Sequence, residues 1–335
     1  MVTDSTTINY ANARSQISKI NQVDSVRPLQ LGVLDNGLIT PGKTVVEVID
    51  ETLKSASLAD SLGYSRYWLT EHHESRFAWA SPEIILTLIA GLTDRINVGT
   101  AGILLYMYSP LKIAEVFRLL EVLHPGRVDL GIAGGLPAEE KTRQALAPGF
   151  DLKQAVKSDQ YRQKLDALID YLTANPSQKD SLAIEVPPII TETPEMWLLG
   201  TGSRNMQLAA ARGTAFCYSL FHDCSKRNLN ILQEYRSRFQ SNKMLKKPKC
   251  SLAVGVICAE TEFEARQQQT LVEKSFQVNV VGNPEQCKEQ LLEIQHRYQV
   301  PEIVVISMWH IFEQRKYSYQ ILAEIFDLSL ASHAK

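Results

Sequence analysis

The chain has 335 residues, of which 44% are hydrophobic and 21% are charged, and its formal net charge is -2. These values are typical of a soluble globular protein and give no basic surface field that would attract nucleic acid. No apolar run reaches the roughly 18 residues that a membrane-spanning helix needs, so we expect no membrane segment.

Residues 1–28 contain much Ser, Thr and Asn, show little apolar pattern and lack the hydrophobic centre of a signal peptide. We interpret them as a flexible amino-terminal arm, followed by a single domain over residues 29–335. The five cysteines are odd in number and never occur as Cys-x-x-Cys. This pattern argues against a disulfide framework and indicates a cytoplasmic protein, with a zinc site as the minor alternative.

Two strand–helix units follow the arm. Residues 29–34 form an apolar run that predicts the first strand, and residues 44–62 carry the apolar pattern of a helix. Residues 66–70 predict the second strand. The second helix is expected to begin at Ser81-Pro82, with Ser81 as its capping residue, and to end at Gly91.

Residues 96–135 predict a strand, a helix and another strand. Apolar runs at 96–105 and 128–133 flank a helix that begins at Pro110 and is ended by Pro125-Gly126. The apolar face of this helix is expected to comprise Ile113, Phe117, Leu120 and Val122. Because a crossover of this length joins parallel strands, the unit predicts an α/β core.

The rest of the chain repeats this alternation. Residues 136–195 form a long connection with a helix at 158–172, and its length suggests a functional loop. Further strands are predicted at 196–199, 214–220, 251–258 and 302–307, and further helices at 204–211, 225–239, 284–298 and 312–330. Eight strands alternating with about eight helices predict a (β/α)8 TIM barrel, with an open doubly wound sheet as the alternative.

In a TIM barrel the functional residues lie where strands end and helices begin. The second strand is followed at once by Glu71, His72, His73 and Glu74. Adjacent residues at a strand end point to opposite sides, so the two imidazoles are poorly placed to bind one metal ion. We favour one of them, His72, as a neutral proton donor or hydrogen-bond donor in a pocket. A structural role for both is the alternative.

The fifth strand is followed by a turn of small residues before a helix, namely Gly200, Thr201, Gly202 and Ser203. Glycine lets the backbone approach a phosphate and a helix N-terminus offers free N–H groups, so the turn is a candidate anion site. Ordinary helix capping is the alternative interpretation. Arg204 or Arg162 could supply the positive charge that a dianion needs. Neither a GxGxxG pattern after the first strand nor a P-loop is present, which argues against a nicotinamide or ATP enzyme.

Four segments carry a resemblance to a known family, in the order RYWLTEHHE, NVGTAGILLYMYSP, IAEVFRLLEVLHPGRVDLGIAGG and MWLLGTGSRNMQLAAARG. From about residue 29 to the C-terminus, the chain resembles the bacterial luciferase-like superfamily of flavin-dependent monooxygenases. The resemblance implies a TIM barrel that binds FMN, which a separate flavin reductase reduces. It also implies that reduced FMN and O2 form a C4a-peroxyflavin, which oxygenates a small or medium organic substrate.

The resemblance implies roles for individual residues as well. His72 would lie near the flavin as a hydrogen-bond donor or acid/base, and Glu71 and Gly134 would contribute to the cofactor site. Family members often have a non-prolyl cis peptide beneath the isoalloxazine, and the matching bond here joins Ala101 and Gly102. The phosphate of FMN would lie by the turn at 200–203, with Arg162 at the matching position as a basic partner.

Two features depart from the family pattern. Luciferases carry Cys-Arg after strand four, where this chain has Ala133 and Gly134, so Arg162 or Arg204 would have to replace the lost charge. Luciferases also have a long mobile insertion where residues 258–281 form a short link here. Another cover would then have to exclude water, such as the 136–195 segment, the arm or a partner subunit. Without a cover, the protein would be an FMN binder with little turnover.

Three further expectations follow from the resemblance. An oxidoreductase that transfers hydride with the deazaflavin F420 is the alternative enzyme, because related barrels bind that cofactor. The candidates for the substrate side are Tyr106, Phe221 and Trp309, joined by His222, although core positions are the simpler interpretation. Family members often dimerise through helices beside strands two and three, so a homodimer through residues 81–92 and 111–123 is expected.

Overall fold

The computed structural model describes residues 28–174, 184–190, 192–222, 227–274 and 276–328. Of the arm predicted at residues 1–28, only the last residue lies within this set. The described strands are β1 (Gln30–Asp35), β2 (Arg66–Leu69), β3 (Asn97–Thr100), β4 (Ile103–Leu104), β5 (Val128–Ala133), β6 (Glu195–Gly200), β7 (Ala215–Ser219), β8 (Cys250–Cys258), β9 (Val280–Gly282) and β10 (Glu302–Ser307). The described α-helices are α1 (Val45–Leu62), α2 (Pro82–Leu92), α3 (Pro110–Leu123), α4 (Glu140–Leu146), α5 (Leu152–Lys157), α6 (Gln160–Thr173), α7 (Ser203–Arg212), α8 (Ile231–Arg238), α9 (Glu262–Gln269), α10 (Pro284–Tyr298) and α11 (Phe312–Ile325).

Parallel strands close into a barrel. Neighbours follow the order β1, β2, β3, β5, β6, β7, β8 and β10, and β10 pairs back with β1. The short strand β4 pairs with the end of β5, and β9 pairs with the end of β8. At least one helix lies between each barrel strand and the next. The predicted TIM barrel is therefore confirmed, and the open doubly wound sheet is excluded.

Successive side chains of each strand alternate between two cores. Val33 of β1 and Tyr67 of β2 belong to the core that includes the helices, whereas Leu34 and Trp68 belong to the core inside the barrel. Within the barrel, Trp68 meets Trp197 edge to face, with ring centroids 5.1 Å apart. Because both faces of the strands are buried, their sequences are nearly continuous apolar runs.

The amino-terminal end of the barrel contains a buried charge network. Arg66, the first residue of β2, forms ion pairs with Asp129 at 2.5 Å and with Glu302 at 2.8 Å. The indole rings of Trp68 and Trp197 lie 5.0 and 4.6 Å from the guanidinium carbon. The three charged side chains are no more than 4% exposed. The network therefore links β2, β5 and β10 inside the barrel.

The structure corrects several local predictions. The apolar run at 96–105 does not form one strand, because β3 ends at Thr100 and the chain continues as β4. Val122 is 48% exposed, since nine residues separate it from buried Ile113 and place it on the opposite side of the helix. Gly91 lies within α2, and the Ser81 side chain forms no capping hydrogen bond.

The short helices α4, α5 and α9 were not predicted, because six to eight residues are too few for a helical apolar pattern to stand out. The helix predicted at 225–239 begins only at Ile231, and residues 225–226 lie outside the described set. The same applies to residues 329–330 of the predicted last helix, which ends at Ile325. No described helix is both long enough and apolar enough to cross a membrane.

Candidate active site

A cavity of about 820 Å³ lies at the carboxyl-terminal ends of the barrel strands. Active sites of TIM barrels lie at this face, and the volume is in the range of ligand and cofactor sites. The cavity is lined by the predicted site residues Glu71, His72, Ala101, Gly102, Gly134, Gly200, Thr201, Gly202, Ser203 and Arg204. The fold therefore brings together segments that are far apart in the sequence.

The floor of the cavity is formed by small residues at the ends of β3 and β5. The peptide bond between Ala101 and Gly102 is cis, as the family resemblance implies. A Cβ atom on Gly102 would lie 2.7 Å from the Leu199 side chain and 2.9 Å from the Gly131 backbone. Glycine is thus required for this close approach.

The carboxylate of Glu71 is buried in the wall and saturated by polar partners. Its Oε1 lies 2.8 Å from Nε2 of His73 and accepts a hydrogen bond of 2.8 Å from the Tyr108 hydroxyl. Its Oε2 accepts a hydrogen bond of 3.1 Å from the Leu104 N–H group. Burial and the neighbouring Glu71 charge hold the pKa of Tyr108 well above its usual range. Glu71 therefore anchors both β4 and His73.

The imidazole of His72 has different surroundings from that of His73. Its ring stacks on Phe77 with centroids 4.0 Å apart, and its Nδ1 lies 3.9 Å from a carboxylate oxygen of Glu74. Burial lowers the pKa of His72 to about 4, despite the opposing effect of Glu74. The ring is therefore neutral at neutral pH and offers one donor and one acceptor nitrogen. This is the protonation state assumed in the sequence analysis.

Helix α7 begins at the cavity wall. Its N-cap residue, Gly202, forms no side-chain capping hydrogen bond, and a Cβ atom there would meet nothing within 4 Å. The guanidinium of Arg204 donates to the Tyr106 hydroxyl at 3.3 Å and lies 5.3 Å from the Tyr161 ring. Backbone N–H groups of a first helical turn together with an arginine form a site suited to a phosphate.

Arg162 is not among the described residues that line the cavity. It lies on α6, is 44% exposed, and forms ion pairs with Asp159 and, at 3.6 Å, with Asp166. Asp159 also lies 3.5 Å from Arg204. Of the two arginines considered for the anion site, the structure thus brings Arg204 to the cavity.

Two of the four residues considered for the substrate side line the cavity, namely Phe221 and His222. Tyr106 is buried and accepts the hydrogen bond from Arg204. Trp309 lies in the inner core, where its Nε1 donates to the Cys258 carbonyl at 3.0 Å. Tyr106 and Trp309 therefore occupy core positions.

Sequence reasoning missed Ser219, Asn205 and Phe276, which also line the cavity. Ser219 ends β7, so its position at a strand end was the only available signal. Asn205 donates a hydrogen bond of 2.6 Å to the Leu199 carbonyl and so holds α7 against β6. Phe276 comes from the link between α9 and β9, which carries no recognisable motif.

This link covers part of the cavity. The Gln277 N–H group donates to the Phe221 carbonyl at 2.7 Å, and Glu273 forms an ion pair of 2.6 Å with Arg76 in the loop after β2. Leu136 and Pro137, from the long 136–195 connection, also line the cavity. The short link and the 136–195 connection thus both line the cavity, and of the two only the 136–195 connection was expected from the sequence to cover it.

The described residues contain no group of three or more His, Cys, Asp or Glu side chains that could hold a metal ion. The described cysteines with free thiols are all buried, namely Cys217, Cys250, Cys258 and Cys287. Burial raises the pKa of Cys217, which lines the cavity, to about 12. This thiol is therefore not a nucleophile at neutral pH.

Comparison with known proteins relates this arrangement to a family. A sequence model of luciferase-like monooxygenases matches residues 30–279. The protein YceB of Bacillus subtilis (strain 168) is 31% identical, over 89% of this chain and 99% of its own length. The N-acetyl-S-alkylcysteine monooxygenase of the same strain is 26% identical, over 88% of this chain and 98% of its own length.

Solved structures share the fold. Apo-MsnO8 has a TM-score of 0.79 and 31% identity, covering 90% of this chain and 99% of its own. The oxygenating constituent of 3,6-diketocamphane monooxygenase from Pseudomonas putida, in complex with FMN, has a TM-score of 0.67 and 16% identity, with 89% and 97% covered. An F420-dependent secondary alcohol dehydrogenase has a TM-score of 0.64 and 12% identity, with 90% and 98% covered. At these last two identities the likeness concerns the fold alone.

Proposed function

Because this chain belongs to the family of luciferase-like monooxygenases, we propose that it is an FMN-dependent monooxygenase acting on a small or medium organic substrate. One oxygen atom of O2 enters the substrate and the other leaves as water. The two electrons come from reduced FMN, which a separate flavin reductase supplies. We place both proteins in the cytoplasm.

One arrangement carries this proposal. A single cavity is lined by a helix N-terminus with an arginine, by small residues at the ends of β3 and β5, and by a neutral histidine. A flavin mononucleotide has the matching parts, namely an anionic phosphate and a flat ring system. The turn at 200–203 and Arg204 would hold the phosphate, and Ala101, Gly102 and Gly134 would contact the ring.

The replacement of the family's arginine by Gly134 fits this assignment. A Cβ atom on Gly134 would lie 3.5 Å from the Tyr161 ring, the ring beside which the Arg204 guanidinium lies. Arg204 therefore stands in the same neighbourhood as the absent arginine and can supply its charge. Arg162 would reach the phosphate only if its ion pairs with Asp159 and Asp166 were broken.

Two residues after β2 would act on the bound flavin in different ways. His72, as a neutral imidazole, would donate a hydrogen bond or a proton to the reacting groups. Glu71 would act through β4, because its Oε2 accepts from the Leu104 N–H group just beyond the floor. We therefore regard His72 as catalytic and Glu71 as a positioning residue.

We also propose that the protein is a homodimer. On α2, Ile84, Leu88 and Leu92 are 63%, 49% and 58% exposed and are spaced four residues apart, so they form one apolar stripe. On α3, Leu119 and Leu123 are 51% and 55% exposed. Exposed apolar patches of this kind mark interaction surfaces, and a second copy of the chain would cover both helices.

Binding and oxidation experiments test the activity. We expect oxidised FMN to quench the protein's fluorescence saturably and to give a calorimetric signal. Reduced FMN mixed with O2 should be reoxidised at a different rate with the protein than alone. If FMN gives no binding signal, the proposal is wrong. Binding without any effect on reoxidation would indicate a passive flavin carrier, and anaerobic bleaching of F420 with an alcohol would indicate the deazaflavin enzyme instead.

A further inference from the structure

The end of β7 places two polar side chains on an otherwise apolar part of the cavity wall. Ser219 is the last residue of β7 and His222 follows three residues later, and both line the cavity. The Ser219 Oγ lies 2.7 Å from the His222 Nδ1, which is a hydrogen-bond distance. Neither residue belongs to the flavin site assigned above, which is formed after β2, β3, β5 and β6.

Hydrogen bonds hold the backbone between Ser219 and His222. The carbonyl of Leu220 accepts a hydrogen bond of 3.0 Å from the Asn279 side chain, and the carbonyl of Phe221 accepts one of 2.7 Å from the Gln277 N–H group. His222 itself forms an antiparallel bridge with Phe276. Groups fixed in this way can recognise a ligand with little loss of entropy on binding.

The pair leaves one hydrogen-bond donor for a ligand in either arrangement of its protons. Burial lowers the pKa of His222, so the ring is neutral at neutral pH. If the Ser219 hydroxyl donates to Nδ1, the ring keeps an N–H donor on Nε2. If Nδ1–H donates instead, the hydroxyl hydrogen of Ser219 is released as the donor. One donor is therefore always left for a ligand.

Among the described residues, the lining around the pair is mostly apolar. It includes Leu34 from β1, Ala253 from β8, Ile306 from β10, and the rings of Phe221 and Phe276. Arg204 is the only Lys or Arg among the described residues that line the cavity, and we assign it to the phosphate. An anionic substrate would therefore lose its hydration here without gaining a counter-charge from the described lining residues, which is costly.

We propose that Ser219 and His222 bind an oxygen atom of the substrate, and that the substrate is an uncharged compound with an apolar body and a carbonyl or hydroxyl group. The proposal rests on the monooxygenase function inferred above, since it concerns the compound held beside the flavin. The apolar wall holds the body of the substrate, and the pair fixes its orientation through one hydrogen bond.

A binding experiment on the FMN-loaded protein tests this inference. Acetophenone and 1-phenylethanol serve as uncharged probes and benzoate as an anion of similar size, each followed through the absorption spectrum of the flavin. We expect saturable changes with the two uncharged probes and none with benzoate at tenfold higher concentration. Ser219→Ala and His222→Phe should each weaken acetophenone binding about three- to tenfold, the loss of one neutral hydrogen bond, without changing FMN affinity.

Matched controls come from the end of β10. Ser307→Ala and His310→Gln change the same residue types at positions that do not line the cavity, and they should leave acetophenone binding unchanged. The double variant of Ser219 and His222 should lose no more than either single variant, because the two side chains act as one unit.

The possible failures are distinguishable. If the wild-type protein binds no FMN, the proposed function itself is wrong, and this is seen before any probe is added. With FMN bound, the inference is overturned if benzoate binds as well as acetophenone, if acetophenone gives no signal, or if both variants bind it normally. Because the variants lie at two positions, an unfolded variant at one position leaves the other to decide.

Discussion

The Tyr108 hydroxyl lies 2.8 Å from Oε1 of Glu71 and donates its hydrogen bond to a carboxylate that is 5% exposed. The other oxygen of that carboxylate accepts the Leu104 N–H group. An acceptor-only carboxylate is thus matched to a set of donors, and this pairing connects the loop after β2 with β4.

We predict that Glu71→Gln lowers the free energy of unfolding by about 2 kcal/mol, because the amide turns an N–H group towards one of the donors. Tyr108→Phe should cost only about 1 kcal/mol, since the other partners of Glu71 remain. Urea unfolding measures both changes, with Glu115→Gln on the exposed face of α3 as the control. Equal stability of Glu71→Gln and the wild type would contradict the positioning role of this carboxylate.

The two arginines near the anion site predict different effects on FMN affinity. Arg204→Met should weaken FMN binding about tenfold or more, the loss of a charged hydrogen bond, whereas Arg162→Met should change it little. Calorimetric titration with FMN and with riboflavin, which lacks the phosphate, measures the difference. The two variants should bind riboflavin equally. A larger loss in Arg162→Met would assign the phosphate to that arginine instead.

The pKa of His72 predicts a pH dependence of stability. Its value falls from 6.5 to about 4 on folding because of burial, so the unfolded chain binds more protons between these values. The contribution is therefore present above pH 6.5 and is lost as the pH falls towards 4. Allowing for partial exposure of the ring, we expect a loss of about 1–2 kcal/mol between pH 7 and pH 5.

Urea unfolding of the wild type and of His72→Gln at the two pH values measures this contribution. The variant should lose less stability than the wild type over the same interval. It should still lose some, because burial lowers the pKa of His222 in the same direction. Parallel pH profiles of the two proteins would mean that His72 is not buried as a neutral ring.

The buried network at the other end of the barrel predicts a large effect on stability. Arg66→Met leaves the carboxylates of Asp129 and Glu302 buried without their partner, so we expect a loss of about 3–5 kcal/mol in the free energy of unfolding. Arg266→Met, which removes an exposed pair with Glu262 on α9, should cost less than 1 kcal/mol. Thermal and urea unfolding compare the two variants. A similarly small effect of both substitutions would contradict the large contribution of the network to the free energy of unfolding.

The exposed stripe on α2 predicts the oligomeric state. We expect light scattering at micromolar concentration to give twice the chain mass of 37.6 kDa. Ile84→Glu and Leu88→Glu should each shift the protein to one chain, because a charge at the centre of an apolar interface is poorly solvated. Leu292→Glu on α10, where the side chain is 41% exposed, serves as the control. A monomeric wild type would overturn the homodimer.

The barrel could be predicted from the sequence because its strands are buried on both faces and its longer helices carry caps that the sequence displays. Gly63 ends α1 in the left-handed conformation, and Pro110 begins α3. The predicted bounds of α10 and β10 are those of the structure. By contrast, the 96–105 run is divided into β3 and β4, and the Leu104 N–H group of β4 donates to the distant carboxylate of Glu71, a contact that no local pattern reveals.

The site was predictable where its residues follow strands and missed where tertiary contacts decide. The turn at 200–203 and the His72 segment were found because each directly follows an apolar run. Arg162 was favoured from the family pattern, but Asp159 and Asp166 hold its side chain on the surface of α6. Phe276 was missed because its contact with the wall depends on backbone hydrogen bonds between the link and the residues after β7.

The ion pairs of Arg66 lie among the first residues of β2, β5 and β10, whereas the cavity lies at their last. The ion pairs thus lie at the opposite end of the strands from the loops around the cavity, and Trp68, whose Nε1 donates to Asp129 at 2.8 Å, is a residue that touches both. In laboratory evolution, the loops around the cavity, including the one that carries Phe276, can therefore be exchanged while the ion pairs of Arg66 are kept.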